Sequence, residues 1–287
     1  MRIIFFFVAI LFASCQRQET AQVSVPDANP SAYSISSTAV GDTFQIQVSV
    51  PDCYKEDSNN RFPTVYLLDA DFYFPLMKAH QHLSEQTGTL PPFVLVGIGY
   101  GGLVRMDSLR TRDFTYPTAI PEYEMALSGK ADRFLSFLET ELIPDIDRRY
   151  RTETTNRTLV GHSLGGYFSL FAMQQELMTK KLMFRNFVAA SPSVHYNRYY
   201  VLKQLEKLNT PNSDGPSVFI SFGGLEDEEE NDGDTSFVTS EVCLSRLQSA
   251  LTNKAQTRTV LLSNLGHMDA AFPAFSKGLT HFLGESK

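Results

Sequence analysis

Read by its apolar and polar positions, the chain falls into a series of strands and helices from residue 33 onward. Between Tyr33 and Val50 the two classes alternate around Val40-Gly41-Asp42. Ile46, Val48 and Val50 share one face, and Gln45, Gln47 and Ser49 the other. A period of two about a Gly-Asp turn predicts a half-buried antiparallel hairpin. Thr64–Leu68 and Phe93–Ile98 are instead continuous apolar runs. Runs of that length suit strands covered on both faces, as in parallel sheets. Further strands are predicted at Arg157–Val160, Phe184–Ala190, Ser217–Phe222 and Thr257–Leu262. Helices are predicted at about 73–86, within 122–147, and at 164–177, 199–208, 235–251 and 270–283. The second of these carries Phe134, Leu135, Phe137, Leu138, Leu142 and Ile143 along one face. The stretch from Gly99 to about Pro121 shows no periodicity and is read as a long irregular loop. Strands alternating with helices predict an α/β fold. It has a mostly parallel central sheet, an N-terminal antiparallel hairpin and helices on both faces.

The first residues break this pattern. Met1-Arg2 precedes an apolar run from Ile3 to Ala13, then Ser14-Cys15. A positive start, a short apolar core and small residues describe a secretory signal, and the run is too short to span a bilayer as a helix. Phe12-Ala13-Ser14-Cys15 resembles a bacterial lipobox, which implies lipidation at Cys15 and an extracytoplasmic protein anchored through lipid alone. Residues 16–32 are polar, with Pro26 and Pro30, and read as a tether. The folded domain is then 33–287. Cys53 and Cys243 remain, either as a pair or as separate thiols.

The chain has 287 residues, 43% of them hydrophobic and 20% charged, which is ordinary for a globular protein. Its net charge of −7, with scattered cations, excludes the basic stripe that nucleic-acid binding needs. No zinc-ligand helix, phosphate loop or dinucleotide fingerprint appears, so no cofactor or metal is expected. The acidic run Glu228, Glu229, Glu230, Asp232 and Asp234 reads as a solvated loop, since its spacing is not that of an EF-hand.

The chemical signal is Gly161-His162-Ser163-Leu164-Gly165-Gly166. It is a G-x-S-x-G elbow placed between a strand and an amphipathic helix, the context that presents a serine hydroxyl above a sheet. Such a hydroxyl needs a base. In this fold the order along the chain is Ser, acid, His. His267, after the last strand and before the last helix, fits best. His80 and His82 come too early, His162 adjoins the serine and should point elsewhere, and His281 lies inside a helix. The acid should follow the strand Ser217–Phe222, where Glu226 and Asp227 stand; Glu226 is favoured by its offset from Gly223. The oxyanion hole needs two main-chain N–H groups, expected from Leu164 and, after Thr64–Leu68, from Asp71.

Several segments together carry a resemblance: Tyr66–Asp69, Gly97–Tyr100, Arg112–Thr115, Glu141–Asp145, Arg157–Gly166 and Ala190–Ser193. They resemble the esterase family of α/β-hydrolases that includes esterase D, the enterochelin (siderophore trilactone) esterases and mycolyltransferase-like proteins. The resemblance covers nearly all of the chain after residue 33. It implies an α/β-hydrolase fold with Ser163 as nucleophile and His267 as base. Some siderophore-esterase relatives work with a Ser–His dyad alone. The expected reaction is carboxylic-ester hydrolysis of a small molecule through an acyl-enzyme. The ester is a siderophore lactone, with Arg105, Arg110 and Arg112 available for anionic oxygens, or an acylated carbohydrate. Arg112 and His195 are the expected substrate contacts. Acyl transfer by the same residues and non-catalytic binding are the competing readings.

Overall fold

The computed structural model describes residues 31–55, 59–123, 125–209, 214–230 and 238–284. The expected signal segment, Cys15 and most of the tether lie outside the described residues. Among those described, no helix is long and apolar enough to cross a membrane.

The strands are β1 (Ala32–Ser37), β2 (Asp42–Ser49), β3 (Phe62–Leu67), β4 (Val94–Gly99), β5 (Thr152–His162), β6 (Asn186–Ala190), β7 (Ser217–Gly223) and β8 (Gln256–Leu262). They form one sheet in the order β1-β2-β4-β3-β5-β6-β7-β8. β2 runs antiparallel to β1 and β4, and every neighbouring pair from β4 to β8 is parallel. The hairpin, the parallel sheet and the helical cover of the α/β-hydrolase fold are therefore as the pattern predicts.

The continuous apolar runs now have a physical reason. Along β3, Val65 and Leu67 enter one core while Tyr66 and Leu68 enter the other. Along β6, Phe187 and Ala189 face one side, and Val188 and Ala190 the opposite side. A strand covered twice cannot spare a polar position on either face. The helices covering these faces are α1 (Ala70–Thr87), α2 (Leu103–Phe114), α3 (Ala131–Phe137), α4 (Ile143–Arg149), α5 (Leu164–Thr179), α6 (Tyr196–Lys207), α7 (Glu226–Glu230), α8 (Ser240–Leu251) and α9 (His267–Leu283). α1 and α9 cover one face. α3 to α6 and α8 cover the other, with α5 against β5 and β6.

Three expectations need correction. The stretch 99–121 is not an irregular loop, because it contains α2. Only Asp113 and Phe114 of that helix are buried, Met106 and Leu109 pack partly buried against the core, and charged and polar residues fill most other positions, so its apolar stripe is narrow and easily passed over. The helix expected within 122–147 is broken. Gly129 takes φ +82°, α3 starts only at Ala131, and a π turn at Leu138–Leu142 separates it from α4. α8 begins at Ser240, where the Thr239 hydroxyl caps the Val242 N–H; residues 235–237 lie outside the described residues. Cys53 stands on the 3₁₀ turn Asp52–Lys55 and Cys243 is buried on α8; they form no disulfide.

Candidate active site

The C-terminal ends of β5, β6 and β7 and the loop after β8 carry the candidate residues to one place. Ser163 joins β5 to α5 with φ +58° and ψ −120°. A non-glycine residue there is strained, and the surroundings must enforce the turn. They do so by close approach. A Cβ on Gly161 would overlap the Gly165 carbonyl, and a Cβ on Gly166 would lie 2.8 Å from the Ala190 carbonyl oxygen and 3.0 Å from Pro192 Cα. The Ser163 N–H donates to the Ala190 carbonyl at 3.0 Å, which fastens the elbow to β6.

His267 is the first residue of α9, about one quarter exposed. Its Nδ1 lies 2.9 Å from Glu226 Oε2, and Glu226 is buried. The same carboxylate accepts the Ser191 hydroxyl at 2.5 Å and the Gly223 N–H, both through Oε1. Donors thus surround Glu226 on both oxygens and fix the direction in which its carboxylate faces His267. The two loops are sewn together by Gly224 N–H to the Leu262 carbonyl at 2.8 Å and Leu225 N–H to the Leu265 carbonyl at 3.0 Å. Asp227, the alternative acid, is turned elsewhere: its Oδ1 accepts from the Ser240 N–H and hydroxyl at 2.8 and 2.7 Å. The geometry separates the two carboxylates that the sequence leaves adjacent.

Residues without an assigned role complete the site. His162 is buried; its Nε2 lies 2.9 Å from the His267 carbonyl oxygen and its Nδ1 2.9 Å from the Tyr73 hydroxyl. Only an Nε2–H tautomer satisfies the carbonyl, so the Tyr73 hydroxyl donates to Nδ1. Burial, then the neighbouring His267, pushes the His162 pKa down to about 3. A permanently neutral imidazole therefore ties the elbow to the chain at His267. Ser193 places its Oγ 3.2 Å from Ser163 Oγ. No sequence signal marks His162 beyond its place inside the elbow, and Ser191 and Ser193 carry only the resemblance.

Asp69, in the left-handed region at φ +52°, opens α1 and pairs with Arg110 through both guanidinium faces at 2.9 and 3.0 Å. Arg110 also donates to the His162 carbonyl at 3.2 Å. Burial opposes its charge, but Asp69 outweighs this and raises its pKa. The turn after β3 is thereby clamped to the elbow. Asp71 follows in the first turn of α1, as Leu164 does in α5. Main-chain N–H groups there have no carbonyl four residues back to reach. The Asp71 carboxylate turns to the loop after β4, accepting from the N–H groups of Tyr100, Gly101 and Gly102 at 2.5, 2.9 and 2.6 Å.

The expected substrate arginine is engaged within the fold. Arg112 is nearly buried and gives both sides of its fork to Asp113 at 2.7 and 2.9 Å and its remaining nitrogen to Asp42 at 2.9 Å. Three of its five N–H groups are thereby engaged within the protein. Arg105 pairs with Asp42 and Arg110 with Asp69, so each of the three cations faces a carboxylate, Arg105 being the one still half exposed. His195, by contrast, is exposed and borders His267, Glu226 and Asp227 in one recess. The protein packed around its ring, and then His267, lower its pKa. The recess holds only about 20 Å³, room for roughly one water. Among the described residues, no group of His, Cys, Asp and Glu is placed to hold a metal ion.

Comparison with known proteins agrees with this architecture. A profile of the "Putative esterase" family matches residues 37–272. The chain belongs to this esterase family. It is 35% identical over 203 residues to the ferri-bacillibactin esterase of Bacillus subtilis, spanning 66% of this chain and 68% of that protein. It is 30% identical over 223 residues to a siderophore enterobactin esterase of Emericella nidulans, 69% of this chain and 70% of that one. Among solved structures, a BES protein from Bacillus cereus superposes with a TM-score of 0.70 at 25% identity, over 88% of this chain and 94% of its own. The siderophore hydrolase EstB from Aspergillus nidulans gives a TM-score of 0.75 at 22% identity, over 92% and 97%, and speaks for the shared fold.

Proposed function

We propose that this esterase-family chain is a serine hydrolase that cleaves a siderophore-type lactone ester through an acyl-enzyme. The observation that carries the reading is the 2.9 Å contact of His267 Nδ1 with buried Glu226, next to a serine held on a strained elbow. In this mechanism Ser163 Oγ attacks the ester carbonyl carbon while His267 Nε2 takes its proton. Glu226 fixes the tautomer and stabilises the imidazolium. The N–H groups of Leu164 and Asp71 receive the developing oxyanion. The imidazolium then protonates the leaving alcohol. Water repeats the sequence on the acyl-enzyme, giving up its proton to His267 and releasing the acid.

The substrate class is supported by the names of the bacterial and fungal relatives, both esterases of siderophores. The paired arginines argue against recognition of the substrate through Arg105, Arg110 or Arg112. Lipid attachment at Cys15, and with it action outside the cytoplasm, belongs to the same proposal and rests on the lipobox-like Phe12–Cys15. A mature protein from the membrane fraction whose first residue is not acylated Cys15 would sink it.

The test is turnover of a catecholate trilactone and a p-nitrophenyl ester by the full-length chain. Ser163→Ala and His267→Ala are expected to abolish both activities. Glu226→Gln should lower kcat by roughly 10²- to 10⁴-fold, as loss of the orienting acid does elsewhere. Asp227→Asn should leave kcat within about twofold, because its carboxylate is turned to Ser240 and an amide oxygen can still accept both of those hydrogen bonds. Undiminished turnover by Ser163→Ala would refute the serine mechanism. A p-nitrophenyl ester turned over while the trilactone is not would refute the substrate class.

A further inference from the structure

Ser191-Pro192-Ser193, the turn leaving β6, touches both ends of the candidate catalytic chain. Ser191 is fully buried at φ +40°, its N–H bonded to the Ser221 carbonyl at 2.7 Å and its hydroxyl to Glu226 at 2.5 Å. Two residues on, the Ser193 N–H donates to the Ser163 carbonyl at 3.1 Å, and its Oγ stands 3.2 Å from Ser163 Oγ. The turn sits tightly on α5, because Gly166 leaves Pro192 the space a Cβ would fill. A hydroxyl held this way needs little reorganisation to act.

We propose that Ser193 is a further catalytic residue, a hydroxyl donor to the Ser163 oxygen that works in deacylation. The proposal rests on the serine-hydrolase reading above. Either hydroxyl can donate in the resting contact, but in the acyl-enzyme Ser163 Oγ carries no proton, so there the Ser193 O–H is the donor. During acylation Ser163 Oγ starts as a hydroxyl, already a better acceptor than an ester oxygen, so this hydrogen bond gains less on the way to the transition state. During deacylation the order reverses. Water loses a proton to His267 Nε2 and its oxygen bonds to the acyl carbon. The carbon–Oγ bond then breaks, Oγ takes the electron pair, and the imidazolium returns the proton to it. Negative charge builds on Oγ in that step, and the Ser193 hydrogen bond strengthens with it. The gain from ground state to transition state is larger in this step than in acylation, so this step is the one accelerated most. Ser191, which touches only the acid, is a positioning residue and acts on both half-reactions through His267.

The test is single-turnover kinetics of the full-length chain in excess over p-nitrophenyl acetate. Nitrophenol release reads acylation, and the mass of the intact acyl-enzyme reads deacylation. Ser193→Ala is expected to slow deacylation about tenfold, the worth of one such hydrogen bond, and to leave acylation within about twofold. Ser191→Ala should slow both phases alike. Ser193→Cys keeps the shape with a weaker donor and should slow deacylation as well, which serves if the alanine variant does not fold. Equal slowing of both phases by the Ser193 variants, or undisturbed deacylation, would overturn the proposal. A parent chain that neither acylates nor is labelled at Ser163 by a fluorophosphonate would overturn the hydrolase reading beneath it.

Discussion

At the residue scale, the site depends on protons that do not move as well as on those that do. His162 is the clearest case, lying between the Tyr73 hydroxyl and the His267 carbonyl. Its pKa falls from an ordinary 6.5 to about 3 on folding. The unfolded chain therefore takes up a proton below about pH 6.5 that the folded chain refuses. This contribution to stability is complete above pH 6.5 and is lost as pH falls toward 3, with a slope up to about 1.4 kcal/mol per pH unit. His162→Gln keeps a donor and an acceptor but cannot titrate, so it should flatten the acid side of a denaturation profile between pH 6.5 and 4. An unchanged slope would show that His162 is protonated in the folded state. The assignment of Glu226 over Asp227 belongs to this scale too. The two are consecutive in sequence, and only the helical turn of α7 sends one to His267 and the other to Ser240.

At the element scale, α2 acts as a brace. It fastens the turn after β3 through Arg110 and Asp69, and the hairpin through Arg112 and Asp42. Arg112 also compensates Asp113, which has no exposed surface. Burial raises the Asp113 pKa, and Arg112 works against that rise. Removing one member of a buried pair strands the other, so Arg112→Ala should lower the unfolding free energy by about 3 kcal/mol. It should leave KM unchanged. A raised KM at unchanged stability, read from chemical denaturation beside steady-state kinetics, would restore Arg112 to the substrate. This helix was hard to read in the sequence because its apolar edge, Met106, Leu109 and Phe114, is narrow, and ion pairs supply much of its attachment. A hydrophobic period reports best the elements held by a broad apolar face.

At the scale of the whole molecule, two cores flank one sheet, and a buried acid sits beyond the active site. Glu176 on α5 accepts the Phe184 N–H at 3.0 Å through Oε1, while Oε2 meets no hydrogen-bond donor among the described residues. Burial, against the help of that N–H, raises its pKa from 4.5 to about 8. The folded chain keeps a proton that the unfolded chain releases above pH 4.5. Stability from this group is complete below pH 4.5 and lost as pH rises toward 8. Glu176→Gln should therefore melt higher than the parent at pH 8 and no higher at pH 4.5. A gain of equal size at both values would mean that the effect is not titration.

The sequence by itself determined the sheet, the elbow and the order of the chemical groups. The short apolar runs of β3, β4, β6 and β7, alternating with longer helical patterns, suit strands covered twice, and a serine flanked by Gly161 and Gly165 suits a turn where backbones nearly touch. Tertiary structure decided what each polar side chain meets. Arg112 stands free in a sequence and is spent on Asp113 and Asp42 in the fold. Ser193 is thirty residues from Ser163 along the chain and 3.2 Å away across the β5–β6 ends. Period and composition report burial, which is a property of one element at a time. Hydrogen bonds and ion pairs join elements far apart in the chain, so only the packed sheet could show them.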